Sequence, residues 1–327
     1  MSNAKANAQD FRFMAAALSL AERGVGRTGQ NPSVGCIIVK DDMVVGRGWT
    51  QAGGRPHAEA MALAQAGEAA RGSTVYVTLE PCAHVSQRGP ACARLVADAA
   101  PAKVVIALQD PDPRTAGEGM AALKTAGIDI LTGVMAPEAR HNLSGFLSRI
   151  DRGRPFVTLK IASSLDGQIA MADGSSRWIT GDISRAHSHV ERVRSDAILV
   201  GAGTVRADAP QLNVRLAGLE AYAPRRVMLG GGDAPQGWEV IRTPDDIVHL
   251  DCNTLLVEGG AATATALLRA GLVDRLMLYR APILIGAGKA CLSDIGLTRL
   301  ADAHGRWQLS DSRSLGKDRL EVYECAN

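Results

Sequence analysis

Aromatic side chains are scarce in this 327-residue chain, at 4%, and the charges nearly cancel, with a formal net charge of +2. Stacking surfaces and a basic groove are what a nucleic-acid partner requires, so that class of ligand is disfavoured. Long apolar runs are missing too. No stretch approaches the roughly 20 residues of a membrane span, and Met1 to Asp10 is polar and small, without the apolar centre of a signal segment. These absences lead to the expectation of a cytoplasmic protein without a membrane partner. Six cysteines in so long a chain do not make a disulfide framework. Cys36, Cys252, Cys291 and Cys325 have no partner at ligand spacing and read as ordinary buried residues. Internal repeats and low-complexity tracts are also absent. What remains, at 46% hydrophobic and 21% charged residues, is a globular chain long enough for two cores.

The first half alternates strands and helices. Ser33 to Val39 and Met43 to Gly48 read as a hairpin closed by Lys40-Asp41-Asp42. A helix over His57 to Ala70, a strand over Ser73 to Leu79, a helix over Ala91 to Ala100 and a strand over Lys103 to Leu108 follow. The loop Gln109 to Gly117, a helix over Gly119 to Ala126 and a strand over Ile128 to Leu131 complete this half. This is the pattern of a layered α/β sandwich with a mixed sheet. Arg149 to Pro155, charged and carrying Gly and Pro, is expected to join the halves, so that residues 1–150 and 151–327 form separate domains. The second half restarts with a strand at Phe156 to Ile161. A helix around Ser184 to Arg194 and strands at Ala197 to Val200, Arg226 to Leu229 and Thr254 to Val257 come next. A helix over Ala262 to Ala270 and a strand over Arg275 to Tyr279 close the reading.

The chemistry concentrates in Pro56-His57-Ala58-Glu59, Glu80-Pro81-Cys82 and Cys92. A His-x-Glu followed by Pro-Cys and a further Cys is the signature of zinc-dependent base deaminases. His57, Cys82 and Cys92 fill three corners of a zinc tetrahedron, one ion per chain, and leave the fourth for a water nucleophile. Glu59 is not a ligand and so is available to move protons. Two residues on a regular helix are about 200° apart, so His57 and Glu59 share a pocket only at a helix entrance. Pro56, favoured at a first helical position, is consistent with that placement. A structural zinc would close all four positions. His84 could supply the fourth ligand, but two residues after Cys82 it reads better as a wall of the substrate pocket. Asn31 before the first strand either forms a turn or reads the edge of a base.

In the second half, Gly201-Ala202-Gly203-Thr204 follows a strand but departs from a dinucleotide fingerprint, because Arg206 occupies the third glycine position. Gly259-Gly260 lies between a strand and a helix whose free N–H groups suit a pyrophosphate. Arg192 and Arg215 suit a sugar phosphate. His187 and His189, two apart on a helix, point to different faces and are expected in solvent.

Taken together, Asn31-Pro32-Ser33-Val34-Gly35, Pro56 to Glu59, Thr78 to His84 and Gln109 to Pro113 resemble the deaminase half of the bifunctional riboflavin-biosynthesis deaminase/reductase family. Leu159 to Gly167, Ser176 to Thr180, Val205 to Pro210 and Val257 to Gly260 resemble its reductase half, in the same order. The resemblance implies a cytidine-deaminase-like α/β/α sandwich followed by a dihydrofolate-reductase-like α/β domain. It also implies zinc-dependent deamination of 2,5-diamino-6-(5-phosphoribosylamino)pyrimidin-4(3H)-one, then NADPH-dependent reduction of its ribosyl group to ribityl. A small phosphorylated pyrimidine is the implied partner, in a homo-oligomer.

Family cofactor positions fall on Ala162, Trp178, Thr204, Asp208 and the run Gly260, Ala261, Ala262, Thr263, Ala264, Thr265 and Ala266. Substrate positions fall on Ser176, Arg192, Leu212, Arg215 and Glu258; Asn31 and His84 would contact the base, and Lys160 would polarise the sugar. The chain departs from the family in a longer approach to the second cysteine, Ser86 to Cys92. It also has Gly230-Gly231-Gly232 in place of an Asp-Ser pair near the cofactor, and a shortened segment before Thr254. The alternative is a deaminase whose C-terminal half is a non-catalytic binding or assembly module.

Overall fold

A computed structural model describes residues 5–84 and 89–326, so Ser86 to Arg88 of the lengthened approach lie outside the described residues. The chain forms two compact units, Met1–Gly153 and Arg154–Asn327.

The first unit runs α1 (Ala8–Ala21), β1 (Gly35–Lys40), β2 (Met43–Trp49), α2 (Ala58–Ala66), β3 (Thr74–Val77), α3 (Cys92–Asp98), β4 (Lys103–Ile106), α4 (Glu118–Thr125), β5 (Asp129–Thr132), α5 (Ala136–Asn142) and α6 (Ser144–Arg152). Its sheet has the order β2-β1-β3-β4-β5. β1 is antiparallel to β2 and β3, and the other pairs are parallel. The β1–β2 turn is two residues long, and Asp41 and Asp42 both take left-handed φ values of 48° and 61°, which short acidic side chains tolerate and a tight hairpin demands. The inner strands are Val- and Ile-rich and buried, as strands covered on both faces must be.

Helix α2 rides directly on β2. A Cβ on Gly46 would stand 2.3 Å from the Ala62 carbonyl oxygen, and one on Gly48 2.3 Å from that of Ala58. Only glycine admits this approach, and it sets the height at which the His57 end of α2 meets the sheet.

Helix α1 is absent from the sequence reading. Asn7 and Asp10 form a reciprocal capping box at its start, and Phe13, Met14, Ala17, Leu18 and Ala21 make its buried face.

The second unit contains β6 (Phe156–Ser163), β7 (Gln168–Ala170), α7 (Asp182–Val193), β8 (Ala197–Gly201), α8 (Ala202–Asp208), β9 (Arg225–Leu229), β10 (Glu239–Ile241), β11 (Thr254–Val257), α9 (Ala261–Arg269), β12 (Arg275–Arg280), β13 (Lys289–Ala290), β14 (Trp307–Leu315) and β15 (Asp318–Cys325). Its main sheet is ordered β10-β9-β8-β11-β6-β12-β15-β14. It is parallel from β10 to β12 and ends in the antiparallel hairpin of β14 and β15, which the sequence reading also missed.

Arg149 to Pro155 is not an open linker. Arg149 to Arg152 complete α6, where basic residues suit a helix C-terminus, and Gly153 ends it at φ 66°. Arg154 is buried and pairs with Asp274 through both nitrogens, at 2.7 and 2.8 Å, while Asp274 also accepts the Val157 N–H at 2.8 Å. Removing one partner leaves the other charge buried without compensation. Asp274→Ala is therefore expected to destabilise the second unit by about 3–5 kcal/mol. An unchanged denaturant midpoint for that unit would count against the pair as its anchor.

Candidate active sites

His57 is the N-cap of α2, with extended backbone (φ −73°, ψ 164°), and Glu59 is the second helical residue. The helix entrance is as expected, although Pro56 precedes the cap and does not open the helix. Cys92 is the first residue of α3, and its N–H donates to Cys82 Sγ at 3.4 Å. His57 Nδ1 lies 3.2 Å from Cys92 Sγ and 3.6 Å from Cys82 Sγ, and the three ligand atoms lie within 4.8 Å of one another. Zinc bonds of about 2.0–2.1 Å to nitrogen and about 2.3 Å to sulfur place tetrahedral N···S edges near 3.5 Å. The set therefore fits the metal. His84 is not part of it: its Nδ1 faces Thr115 Oγ1 at 3.3 Å.

Electrostatics agree with this donor set. A hydrogen bond from Cys92 is the main influence holding the Cys82 thiol down at about 4 against burial, with His57 assisting. The same hydrogen bond and burial push Cys92 up. A bound dication would deprotonate both. Glu59, 3% exposed, is pushed up to about 7 by burial first and Cys82 second, against His57 and a hydrogen bond from Cys92. A bound dication would pull it down again, toward the ionised form that takes a proton from water and can return it.

Glu80 stands in the Glu80-Pro81-Cys82 motif, which by itself gives it no role. Its buried carboxylate accepts the N–H groups of Asp110 (3.2 Å), Gly117 (3.1 Å) and Met120 (2.9 Å). It thereby ties the Gln109–Gly117 loop, which carries Thr115, to the turn bearing Cys82. Asn31 serves the turn reading, since its Nδ2 donates to Thr28 O at 3.2 Å. It also abuts the segment leading to His57: a Cβ on Gly54 (φ 85°) would stand 2.0 Å from Asn31 Nδ2. A cavity of about 240 Å³ borders His57 and Cys92, with Arg55 and Leu95 on its wall.

In the second unit a cleft of about 420 Å³ gathers Lys160, Ala162, Ser176, Thr204, Asp208, Glu258, Gly260 and Ala261. Lys289 and Cys291 also line it, contributed by a late segment that no local motif marks. Thr204 and Asp208 lie on α8 and not in a loop. Glu258 is gripped by Arg192 at 2.7 and 2.9 Å and has Lys160 Nζ at 3.8 Å. Burial opposes its charge, but Lys160 and Arg192 outweigh burial and hold it at about 2. The Arg192 fork thus faces Glu258, with a further bond to Asn213 O at 2.8 Å.

The other expected positions lie apart from the cleft wall. Arg215 is exposed and donates to Asn213 Oδ1 at 3.1 Å, while Leu212 is buried. Trp178 borders a separate cavity of about 550 Å³, with the Arg185 guanidinium 4.7 Å from its ring centroid. On α9, Thr263 and Ala264 are buried, Thr265 accepts the Ser293 N–H at 2.9 Å, Ala262 is exposed and Ala266 is half-buried. His187 and His189 do point to different sides, but neither is free in solvent. His189 is buried and its Nδ1 accepts the Arg215 N–H at 3.4 Å, and His187 Nδ1 meets Tyr279 Oη at 2.8 Å.

Residues 7–108 match the cytidine and deoxycytidylate deaminase zinc-binding region, and residues 155–243 and 246–320 match the RibD C-terminal domain. The riboflavin biosynthesis protein RibD of Escherichia coli K12 is 40% identical, over 95% of this chain and 98% of its own length. The chain belongs to the RibD family. RibD of Haemophilus influenzae is 39% identical, over 97% of this chain and 98% of its own. RibD of Acinetobacter baumannii superposes with a TM-score of 0.89 at 37% identity, covering 98% of this chain and 99% of that one. A diaminohydroxyphosphoribosylaminopyrimidine deaminase/5-amino-6-(5-phosphoribosylamino)uracil reductase of Thermotoga maritima superposes at 0.86 with 30% identity, covering 97% and 99%. The zinc-binding match lies within the first unit and the RibD C-terminal match within the second. Among the described residues no helix is long and apolar enough to cross a membrane.

Proposed function

We propose that this chain carries out two successive steps of riboflavin biosynthesis, one in each unit. The first hydrolyses the amidine-like C–N bond of 2,5-diamino-6-(5-phosphoribosylamino)pyrimidin-4(3H)-one, consuming water and releasing ammonia. The second transfers hydride from NADPH, with a proton, to the ribosyl group and yields 5-amino-6-(5-phosphoribitylamino)uracil. The observation that carries the reading is the three-ligand set His57, Cys82 and Cys92 with buried Glu59 beside it.

Zinc, held by those three residues, supplies the Lewis acidity that makes water a nucleophile near neutral pH. Glu59 takes the proton of the attacking water and returns it to the departing amine. Glu80 holds the Gln109–Gly117 loop so that His84 and Thr115 stay together at the turn after Cys82. In the second unit Gly260 and Ala261 open α9, whose uncapped N–H groups suit the coenzyme pyrophosphate. Ionised Glu258, set by Arg192, orients Lys160 toward the sugar.

The decisive experiment supplies the purified protein with the diaminopyrimidine phosphate, with and without NADPH, and follows both products. The deaminated ribosylaminouracil phosphate is expected without NADPH and the ribityl product with it. Glu258→Gln leaves two cations facing a neutral amide, so it is expected to lower kcat/KM for reduction at least about tenfold, with the deaminated compound accumulating. Reduction at the wild-type rate in that variant would remove Glu258 from the site. Absence of any NADPH oxidation by the wild type would favour a non-catalytic C-terminal half.

A further inference from the structure

Lys160 needs more than Glu258 to fix its place. Its Nζ lies 3.8 Å from Glu258 Oε2, beyond hydrogen-bond range, and both oxygens of that carboxylate already accept from Arg192 at 2.7 and 2.9 Å. An ammonium on a flexible four-carbon stem keeps one position only if a second group confines it. That group stands on the neighbouring strand. β6 and β12 run parallel with Lys160 opposite Met277 and Ala162 opposite Tyr279, so Lys160, Ala162 and Tyr279 share one face of the sheet. The small Ala162 packs beside the phenol ring and leaves it room, and Lys160 Nζ lies over that ring, 5.6 Å from its centroid. An aromatic face at this range attracts an ammonium, more strongly where water is withdrawn, and the Lys160 side chain is only 17% exposed.

The ring is itself fixed. Tyr279 is 1% exposed, packs with Met277, Leu320 and Val322, and does not line the cleft. Its hydroxyl meets His187 Nδ1, from α7, at 2.8 Å, and Arg313 Nη2, from β14, lies 3.0 Å from Nε2 of the same imidazole. A guanidinium has no acceptor, so Nε2 must accept from Arg313. The imidazole proton then sits on Nδ1 and is donated to Tyr279 Oη. Burial holds His187 below the usual histidine range, and Arg313 and Arg194 add to this against Glu191 and Asp311. A neutral imidazole of one tautomer therefore anchors the phenol.

We propose that Tyr279 is a positioning residue for the reduction: its ring, anchored through the hydroxyl by His187, confines the Lys160 ammonium beside Glu258. This rests on the reading of the cleft as a reductase site in which Lys160 faces the sugar. The test gives the full chain the deaminated ribosylaminouracil phosphate and NADPH, in single turnover with enzyme in excess so that slow variants are measured.

Tyr279→Met fills much of the space without a ring and is expected to slow hydride transfer at least about tenfold, while the half-saturating substrate concentration moves less than about threefold. Tyr279→Phe keeps the ring and should stay within about threefold of wild type. In a Lys160→Gln background, Tyr279→Met should cost less than about twofold more, because the group it positions is gone. His187→Leu should lose no more than about threefold and add nothing to Tyr279→Phe, since both remove one hydrogen bond. Independently of turnover, the ε-methylene resonance of isotope-labelled Lys160, assigned with Lys160→Arg, should be displaced by the ring current in the wild type and in Tyr279→Phe. In Tyr279→Met it should return to the ordinary lysine position.

Equal losses from Tyr279→Met in both backgrounds indicate a general packing defect and overturn the proposal. So does a Tyr279→Met variant at the wild-type rate, or a Tyr279→Phe variant as slow as Tyr279→Met. An undisplaced Lys160 resonance in the wild type overturns it whether or not the methionine variant folds. A wild type with the displaced resonance that oxidises no NADPH overturns the reductase reading, and the role in reduction with it, and leaves the ring contact standing.

Discussion

Glu59→Gln is expected to keep its zinc and to lose about 10²- to 10⁴-fold in deamination, the range of a general acid–base contribution. The substitution preserves shape and removes only the ability to carry a proton. Glu59 is buried at 3% exposure and is not among the three ligand atoms, so the donor set survives. Burial and Cys82 raise its carboxyl to about 7, and a bound dication would draw it down toward the ionised form that takes a proton. One group can then accept the proton of the attacking water and deliver it to the leaving amine. Losing both transfers places the effect toward the upper end of the range. Ammonia release at saturating substrate, with zinc measured on the same sample, reads it out. Turnover within tenfold of wild type would place the proton carrier elsewhere. The two units have separate apolar cores, so this variant should still oxidise NADPH when given the already deaminated compound.

The zinc site was legible because metal chemistry restricts both residue type and position. Only a helix entrance lets His57 and Glu59 face one pocket, and the turn that follows β3 and the start of α3 bring Cys82 and Cys92 to them. Helix α1 was hidden by the general abundance of alanine, which blurs an amphipathic face, although Asn7 and Asp10 marked its start. The charge of Arg149 to Arg152 suggested a linker, but it equally suits a helix C-terminus, and no local signal announces that Arg154 pairs with Asp274. Glu80 was unreadable for a similar reason: its partners are backbone amides of Asp110, Gly117 and Met120, which no side chain encodes. Arg192 looked like a phosphate ligand because Glu258, which occupies its fork, lies far along the chain. The β14–β15 hairpin was overlooked despite alternation at Asp318, Leu320 and Val322, the buried positions of β15.

Cys82→Ser or Cys92→Ser should remove both the metal and the first activity. The wild type is expected to hold about one zinc per chain, because three protein ligands with an open fourth position describe a single catalytic site. A serine hydroxyl in place of either thiolate stays protonated near neutral pH and leaves one histidine and one thiolate, too few donors for a lasting site. The backbone contacts that shape the site persist, since Ala93 N–H donates to the Cys82 carbonyl at 3.1 Å regardless of the side chain. The folded core does not depend on these sulfurs either, as neither cysteine belongs to the first unit's main apolar cluster. Metal content and deamination should therefore fall together to background while the protein stays folded and reduction of the pre-deaminated compound continues. Serine variants that kept stoichiometric zinc and undiminished turnover would show that the metal sits elsewhere. A variant that lost zinc yet deaminated normally would show that water is activated without it, and Glu59 would then have to carry the whole catalytic burden.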